Sequence, residues 1–198
     1  VMQTDVGGRF RPFPVYDVYE DRQKSIWLGL LSGELFRYDG SWKQTDSRWK
    51  RYGEAEGLGL GSLPRVLQTQ DGTIWVVSQQ GDQGVYRFDG RRWKSFKLSR
   101  LGGEDINPSI LETEDGAVWV GGPRGRLHVF RNGVWRIYKD NDTSTPDTRV
   151  IDLQLDANGN IWIAFERQEA FRLDYNRHRW TTYQGLAFQC ETRDGNLW

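Results

Sequence analysis

The sequence contains few of the residues that carry enzymatic and metal chemistry. Its 198 residues include one cysteine, Cys190, and two histidines. A single cysteine excludes an internal disulfide and a cysteine-based zinc site. A hydrolase triad needs a histidine beside a serine or a carboxylate, and the histidines that could supply it are His128 and His178. We therefore predict no metal site and no cofactor, and the sequence supports catalysis weakly.

An excess of charge of either sign is also missing. The 27 Lys and Arg residues are balanced by 27 Asp and Glu residues, so the formal net charge is zero. Phosphate binding needs a clustered positive excess, and we therefore expect no nucleic-acid partner. No run approaches the roughly 18 consecutive apolar residues that a membrane helix requires, and the chain does not open on a signal peptide. We expect no membrane contact by this segment itself.

Aromatic residues and glycine are abundant instead. The chain has 10 Trp, 8 Tyr, 9 Phe and 23 Gly residues, a composition that favours strands and tight turns. An apolar residue followed by Trp recurs at intervals of 48, 44, 43 and 36 residues, with the tryptophans at Trp27, Trp75, Trp119, Trp162 and Trp198. Four of these pairs follow a turn dipeptide that predicts a hairpin with positive φ at its central residues: Asp71-Gly72, Asp115-Gly116, Asn158-Gly159 and Asp194-Gly195. The first copy has Arg22-Gln23-Lys24-Ser25 in that place.

A second pattern lies inside each unit. An aromatic-rich run ends in another tight turn, and the motif Trp-x-x-aromatic follows it. The motif pairs Trp49 with Tyr52, Trp93 with Phe96, Trp135 with Tyr138, and Trp180 with Tyr183. Each unit therefore predicts four short strands, and repeated four-stranded units of about 40–50 residues are typical of a β-propeller.

The predicted fold is all-β, an arc of four-stranded antiparallel propeller blades. After a lead-in of residues 1–14, we place complete blades at about 15–52, 64–97, 108–139 and 149–183, and the first half of a fifth at 186–198. The expected partner of this arc is the remainder of the same ring, so the sequence is expected to be a fragment. The recurring tryptophans of the four complete blades are predicted to be buried at equivalent positions on second strands.

The repeat resembles the two-component regulator propeller repeat. The resemblance lies in Val66–Val76, in Gly84–Gly90 and in the linker from Tyr52 to Val66. It implies the extracytoplasmic sensor region of a bacterial membrane receptor, on the periplasmic or extracellular side, commonly in a hybrid histidine kinase whose signalling parts lie outside this sequence. It also implies an oligosaccharide or another small molecule as the ligand.

The strand pattern predicts two different faces. Turns between first and second and between third and fourth strands share one face, and the tight Asp-Gly turns all belong to it. The remaining loops vary in length and share the other face. Because binding residues concentrate on variable loops held by a rigid scaffold, we predict that this second face binds the ligand. The candidate ligand-binding residues are Arg65, Gln80, Asp82, Arg124, Arg149, Glu166 and Arg167.

Three functions remain open from the sequence. The first is a ligand-sensing module without chemistry of its own, in which arginine side chains bind carboxylates or sugar hydroxyls. The second is a carbohydrate-active propeller enzyme, a glycosidase or lyase, with two loop carboxylates roughly 5–10 Å apart. The third is a scaffold that docks proteins on its loops.

Overall fold

The computed structural model describes residues 14–39, 49–59, 61, 64–78, 84–98, 109–138, 146–167, 169–175, 177 and 179–184. Within them the chain forms four antiparallel sheets of four strands each. Sheet 1 consists of β1 (Val15–Glu20), β2 (Ile26–Leu30), β3 (Leu35–Tyr38) and β4 (Trp49–Tyr52). Sheet 2 consists of β5 (Arg65–Gln68), β6 (Ile74–Val77), β7 (Gly84–Phe88) and β8 (Trp93–Lys97).

Sheet 3 consists of β9 (Ile110–Glu112), β10 (Val118–Gly121), β11 (Leu127–Arg131) and β12 (Val134–Tyr138). Sheet 4 consists of β13 (Val150–Leu155), β14 (Ile161–Phe165), β15 (Glu169–Asp174) and β16 (Arg179–Gln184). A single 3₁₀ turn at Glu54–Glu56 is the helical element of the described residues, and none of them belongs to a helix able to cross a membrane. The predictions of an all-β fold and of four complete four-stranded blades are confirmed. The half blade predicted at 186–198 lies outside the described residues.

The chain divides into two compact units, which we call the N-terminal unit (Val1–Lys97, sheets 1 and 2) and the C-terminal unit (Leu98–Trp198, sheets 3 and 4). In the N-terminal unit β5 contacts β1 and β2 of the preceding sheet, and the core includes Trp27, Tyr52 and Tyr86. In the C-terminal unit β13 contacts β9 and β10, and the core includes Trp119 and Phe165. The first strand of the second sheet thus packs on the preceding sheet in both units.

The recurring tryptophans lie on the second strand of each sheet. Trp27, Trp75, Trp119 and Trp162 are 1%, 2%, 0% and 3% exposed, so the prediction of four equivalent buried positions is confirmed. Each ring packs on the last aromatic residue of the Trp-x-x-aromatic motif, with ring centroids 5.5, 5.8, 5.0 and 5.0 Å apart. The two sequence motifs therefore belong to one contact, between the second and fourth strands.

The turn that precedes each tryptophan differs from the prediction in one respect. Gly72, Gly116 and Gly159 have positive φ, and each glycine N–H donates to the carbonyl three residues earlier at 2.8–3.0 Å. The preceding Asp or Asn is not in the left-handed region, so the expectation that both residues of the dipeptide have positive φ is wrong for these turns. Sheet 1 makes the same turn without glycine, because Lys24 takes a φ of 66° and donates to the Asp21 carbonyl at 2.9 Å.

Candidate functional site

Each sheet, taken by itself, has two ends with different connections. Because the strands are antiparallel and adjacent in chain order, the first-to-second and third-to-fourth turns lie at one end, which we call the tight-turn face. The second-to-third connection and the exit of the fourth strand lie at the other end, which we call the loop face. The predicted ligand residues that the structure describes belong to loops or strand ends of the loop face.

Loops of the C-terminal unit bring several of the predicted residues together. The Arg149 guanidinium donates to Glu166 Oε1 at 2.6 Å, and the Glu166 N–H donates to the Arg149 carbonyl at 3.2 Å. Arg124 Nε lies 3.9 Å from Asp147 Oδ1. Gly125 N–H donates to the Thr148 carbonyl at 2.5 Å. The β10–β11 turn, the linker into β13 and the β14–β15 turn are thereby joined.

We call this cluster the C-terminal loop patch. It consists of Arg124, Arg126, Asp147, Arg149, Glu166 and Arg167. Arg167 is exposed directly beside Glu166. Sequence reasoning missed Arg126 and Asp147, although the Arg124-x-Arg126 spacing across a glycine turn was visible. Their association depends on a linker that reaches from sheet 3 to sheet 4, which no local pattern indicates.

The other predicted residues are not part of this patch. Arg65 is half-buried at the first position of β5, where it pairs with Val77. Gln80 and Asp82 lie outside the described residues. The structure therefore describes five of the seven predicted residues and brings Arg124, Arg149, Glu166 and Arg167 together.

A groove of roughly 500 Å³ opens at the loop face of the N-terminal unit. It runs between the β2–β3 turn and the segment after β4. Arg51 and Glu34 form an ion pair there, with the Arg51 guanidinium 2.8 Å from Glu34 Oε1. Ser32 Oγ donates to Glu34 at 3.1 Å, and the Gly53 N–H donates to Glu56 at 2.8 Å. The groove is net acidic, in contrast to the C-terminal loop patch. None of its lining residues was among the predicted ligand-binding residues, because Glu34 and Arg51 flank or lie within ordinary strands.

Polar contacts at the tight-turn face hold neighbouring sheets together. The backbone N–H of Arg22 donates to Gln68 Oε1 at 2.8 Å, and its guanidinium donates to the Gln70 carbonyl at 2.7 Å. In the C-terminal unit Arg131 contacts both Asp115 and Tyr175. These bonds satisfy turn residues of one sheet with groups of the next, which is a structural role.

The described part of the chain offers little for catalysis. His128 is 2% exposed on β11, and burial, with a smaller contribution from the Arg126 charge, lowers its pKa to about 4. Such an imidazole is neutral and inaccessible to a substrate, while His178 lies outside the described residues. Among the described residues no three His, Cys, Asp or Glu side chains converge to bind a metal ion.

No protein-family model matches the sequence, and no curated protein matches it. Solved structures do resemble the fold. Virginiamycin B lyase from Staphylococcus aureus has a TM-score of 0.65 at 18% identity, over 86% of this chain and 55% of its own. The extracellular domain of the hybrid two-component system BT4673 from B. thetaiotaomicron has a TM-score of 0.69 at 19% identity, over 88% of this chain and 24% of its own.

The extracellular domain of a second such protein, BT3049 from B. thetaiotaomicron, also has a TM-score of 0.69, at 20% identity over 93% of this chain and 26% of its own. The chain thus spans about half of the lyase and about a quarter of the two receptor domains. Neighbours with such different activities, all below 25% identity, have the fold in common with this chain, and that fold is the β-propeller.

Proposed function

We propose that this chain is a ligand-recognition part of a bacterial signal-transduction receptor, located on the extracytoplasmic side, without catalysis of its own. The ligand is an oligosaccharide or another small polar molecule, and it binds at the loop face. The observation that carries this proposal is the C-terminal loop patch, where three separate loops present charged side chains on a scaffold of buried sheets.

Two further features support the proposal. The chain resembles extracellular domains of two hybrid two-component systems in fold. The Arg149–Glu166 pair is held by side-chain and backbone hydrogen bonds, so part of the patch is ordered before any ligand arrives. Preorganised polar groups lose less conformational entropy on binding.

The proposal is tested by screening a panel of oligosaccharides against the 198-residue chain by thermal shift and then titrating the compounds that stabilise it. Arg124→Glu reverses a charge on a side chain that is 69% exposed, so we expect it to weaken binding and to change stability by less than about 0.5 kcal/mol. Arg91→Glu, an exposed residue of the β7–β8 turn on the tight-turn face, is the matched control. If Arg91→Glu lost binding and Arg124→Glu retained it, the ligand would bind at the tight-turn face and the proposal would be wrong.

A carbohydrate-active or lyase function is the second candidate, favoured by the similarity to virginiamycin B lyase. Among the described residues its catalytic groups would have to be loop carboxylates such as Glu166, since His128 is buried. Incubation with virginiamycin B, followed by chromatography, separates the two functions. Turnover that is lost in Glu166→Gln would replace the proposal with an enzymatic one, whereas unchanged substrate would leave binding as the function.

A further inference from the structure

The connections at the two ends of strand β11 each contain two consecutive residues with positive φ. At the tight-turn face Asn132 and Gly133 have φ values of 52° and 79°. At the loop face Arg124 and Gly125 have φ values of 56° and 65°, and the Arg126 N–H closes the turn on the Pro123 carbonyl at 3.3 Å. A type I′ turn requires positive φ at both central residues, and Asn-Gly is a preferred sequence for it.

Arginine is therefore an unfavourable choice at position 124. The left-handed region is disfavoured for residues that carry a Cβ, and asparagine offsets this with local hydrogen bonds of its short amide, which arginine cannot imitate. The side chain of Arg124 contributes little stability to offset this cost. The guanidinium is 69% exposed, and its partner Asp147, 3.9 Å away, is 83% exposed, so their attraction is screened by solvent. Backbone strain that serves no evident packing role points to function.

Among the residues that the structure describes, the surroundings of Arg124 are net positive. Four arginines of the C-terminal loop patch, at positions 124, 126, 149 and 167, stand against two carboxylates, Asp147 and Glu166. Glu166 is engaged at 2.6 Å by Arg149, and the described carboxylate that pairs with Arg124 is Asp147, at 3.9 Å. Val150 N–H donates to the Gly122 carbonyl at 3.2 Å, which fixes the linker against the turn. The exposed Arg124 guanidinium therefore lies on a turn that is held in place, and the charged residues around it are mostly positive.

We infer that the C-terminal loop patch binds a carboxylate-bearing ligand, with the Arg124 guanidinium as the group that takes the carboxylate. This inference rests on the proposed function, in which the loop face binds the ligand, and adds the chemistry of that ligand. A guanidinium fork matches the two oxygens of a carboxylate. Two sources supply this chemistry, a uronic-acid oligosaccharide and a free organic acid.

The test titrates the 198-residue chain with three probes: tetragalacturonate, citrate and the neutral galactotetraose. Arg124→Asn puts the preferred type I′ residue in the turn, and Asn132→Gly changes the same position of the other turn. We expect one or both acidic probes to bind and Arg124→Asn to weaken them about tenfold or more. We also expect Arg124→Asn to raise the melting temperature by about 2 °C because strain is relieved. Asn132→Gly should leave binding unchanged.

The outcomes separate this inference from the proposed function. Binding of galactotetraose at the loop face without binding of either acid would overturn the inference and leave the proposed function standing. Binding of none of the three probes would also overturn it, while the oligosaccharide panel decides the proposed function. Acidic binding that survives in Arg124→Asn would remove Arg124 from the site. A lower melting temperature of Arg124→Asn would show that arginine supports the fold and would overturn the strain argument.

Discussion

Indole nitrogens explain why the recurring residue is tryptophan. Trp27 Nε1 donates to Asp21 at 2.9 Å, Trp119 Nε1 to Thr113 at 3.2 Å and Trp162 Nε1 to Asp156 at 3.2 Å. Each acceptor lies six residues before its tryptophan and also begins the turn. One side chain therefore holds both the turn and the indole ring in place. For Asp156, burial opposes ionisation, but hydrogen bonds from Asn160, Asn158 and Trp162 outweigh it and lower its pKa. Phenylalanine would fill the space but leave these acceptors without the indole N–H.

His128 makes stability depend on pH. Burial lowers its folded-state pKa to about 4 from 6.5, so the unfolded chain takes up the proton at higher pH. The stabilising contribution of the neutral imidazole is complete above pH 6.5 and is lost as the pH falls towards 4. We expect a loss of about 3 kcal/mol in unfolding free energy between pH 7 and pH 4 from this residue, measured by urea denaturation. His128→Leu should remove that part of the pH dependence, and His178→Gln should retain it.

A direct measurement avoids relying on the folding of His128→Leu. The chain has two histidines, so an NMR titration resolves two imidazoles, which His178→Gln assigns. A His128 signal that titrates near 6.5 would contradict its burial in solution.

At the level of elements, glycine lets the first strand of one sheet approach the second strand of the sheet before it. A Cβ on Gly29 of β2 would lie 2.5 Å from the Pro64 carbonyl oxygen, and a Cβ on Gly121 of β10 would lie 2.6 Å from Val150 Cγ1. Both positions occur at the same place in the two units, two residues after the tryptophan. Glycine therefore permits the same close approach between sheets in both units.

Gly29→Ala should therefore destabilise the N-terminal unit by about 1–3 kcal/mol, because a backbone carbonyl must move to admit the methyl group. Urea denaturation followed by tryptophan fluorescence measures the loss. Gly53→Ala is the control, since its Cβ would have no neighbour nearer than 4.0 Å and its φ of −152° suits any residue. Equal losses in the two variants would show that glycine at position 29 is not required by the approach of Pro64.

For the molecule as a whole, one face of sheet 1 is apolar, and it exposes Val18. Val18 of β1 is 62% exposed and pairs with Leu28, which pairs in turn with Phe36. Leu28 and Phe36 are themselves buried, in a small apolar cluster that also contains Leu30. Exposed apolar area of this kind favours association.

We therefore expect the 198-residue chain to self-associate at micromolar concentration. Val18→Lys should shift sedimentation-velocity profiles towards the monomer, because it places a charge on that face, and should change stability by less than about 1 kcal/mol at so exposed a position. Ser95→Lys, at an exposed position of β8, controls for the same change of net charge alone. A monodisperse wild-type monomer would contradict the expectation.

The sequence by itself determined the strands, their grouping in fours and the burial of the four tryptophans, because each of these follows from short-range periodicity and turn chemistry. It also indicated which face carries the variable loops. The tertiary structure alone decided that Lys24 closes the first turn as glycine does elsewhere, and that Arg124, Asp147 and Arg149 share one patch. Those facts depend on backbone conformation and on hydrogen bonds between segments distant in sequence, such as Gly125 to Thr148. The spacing of residues in the sequence indicates neither of them. The repeat therefore predicted the scaffold, whereas the candidate site depends on the tertiary structure.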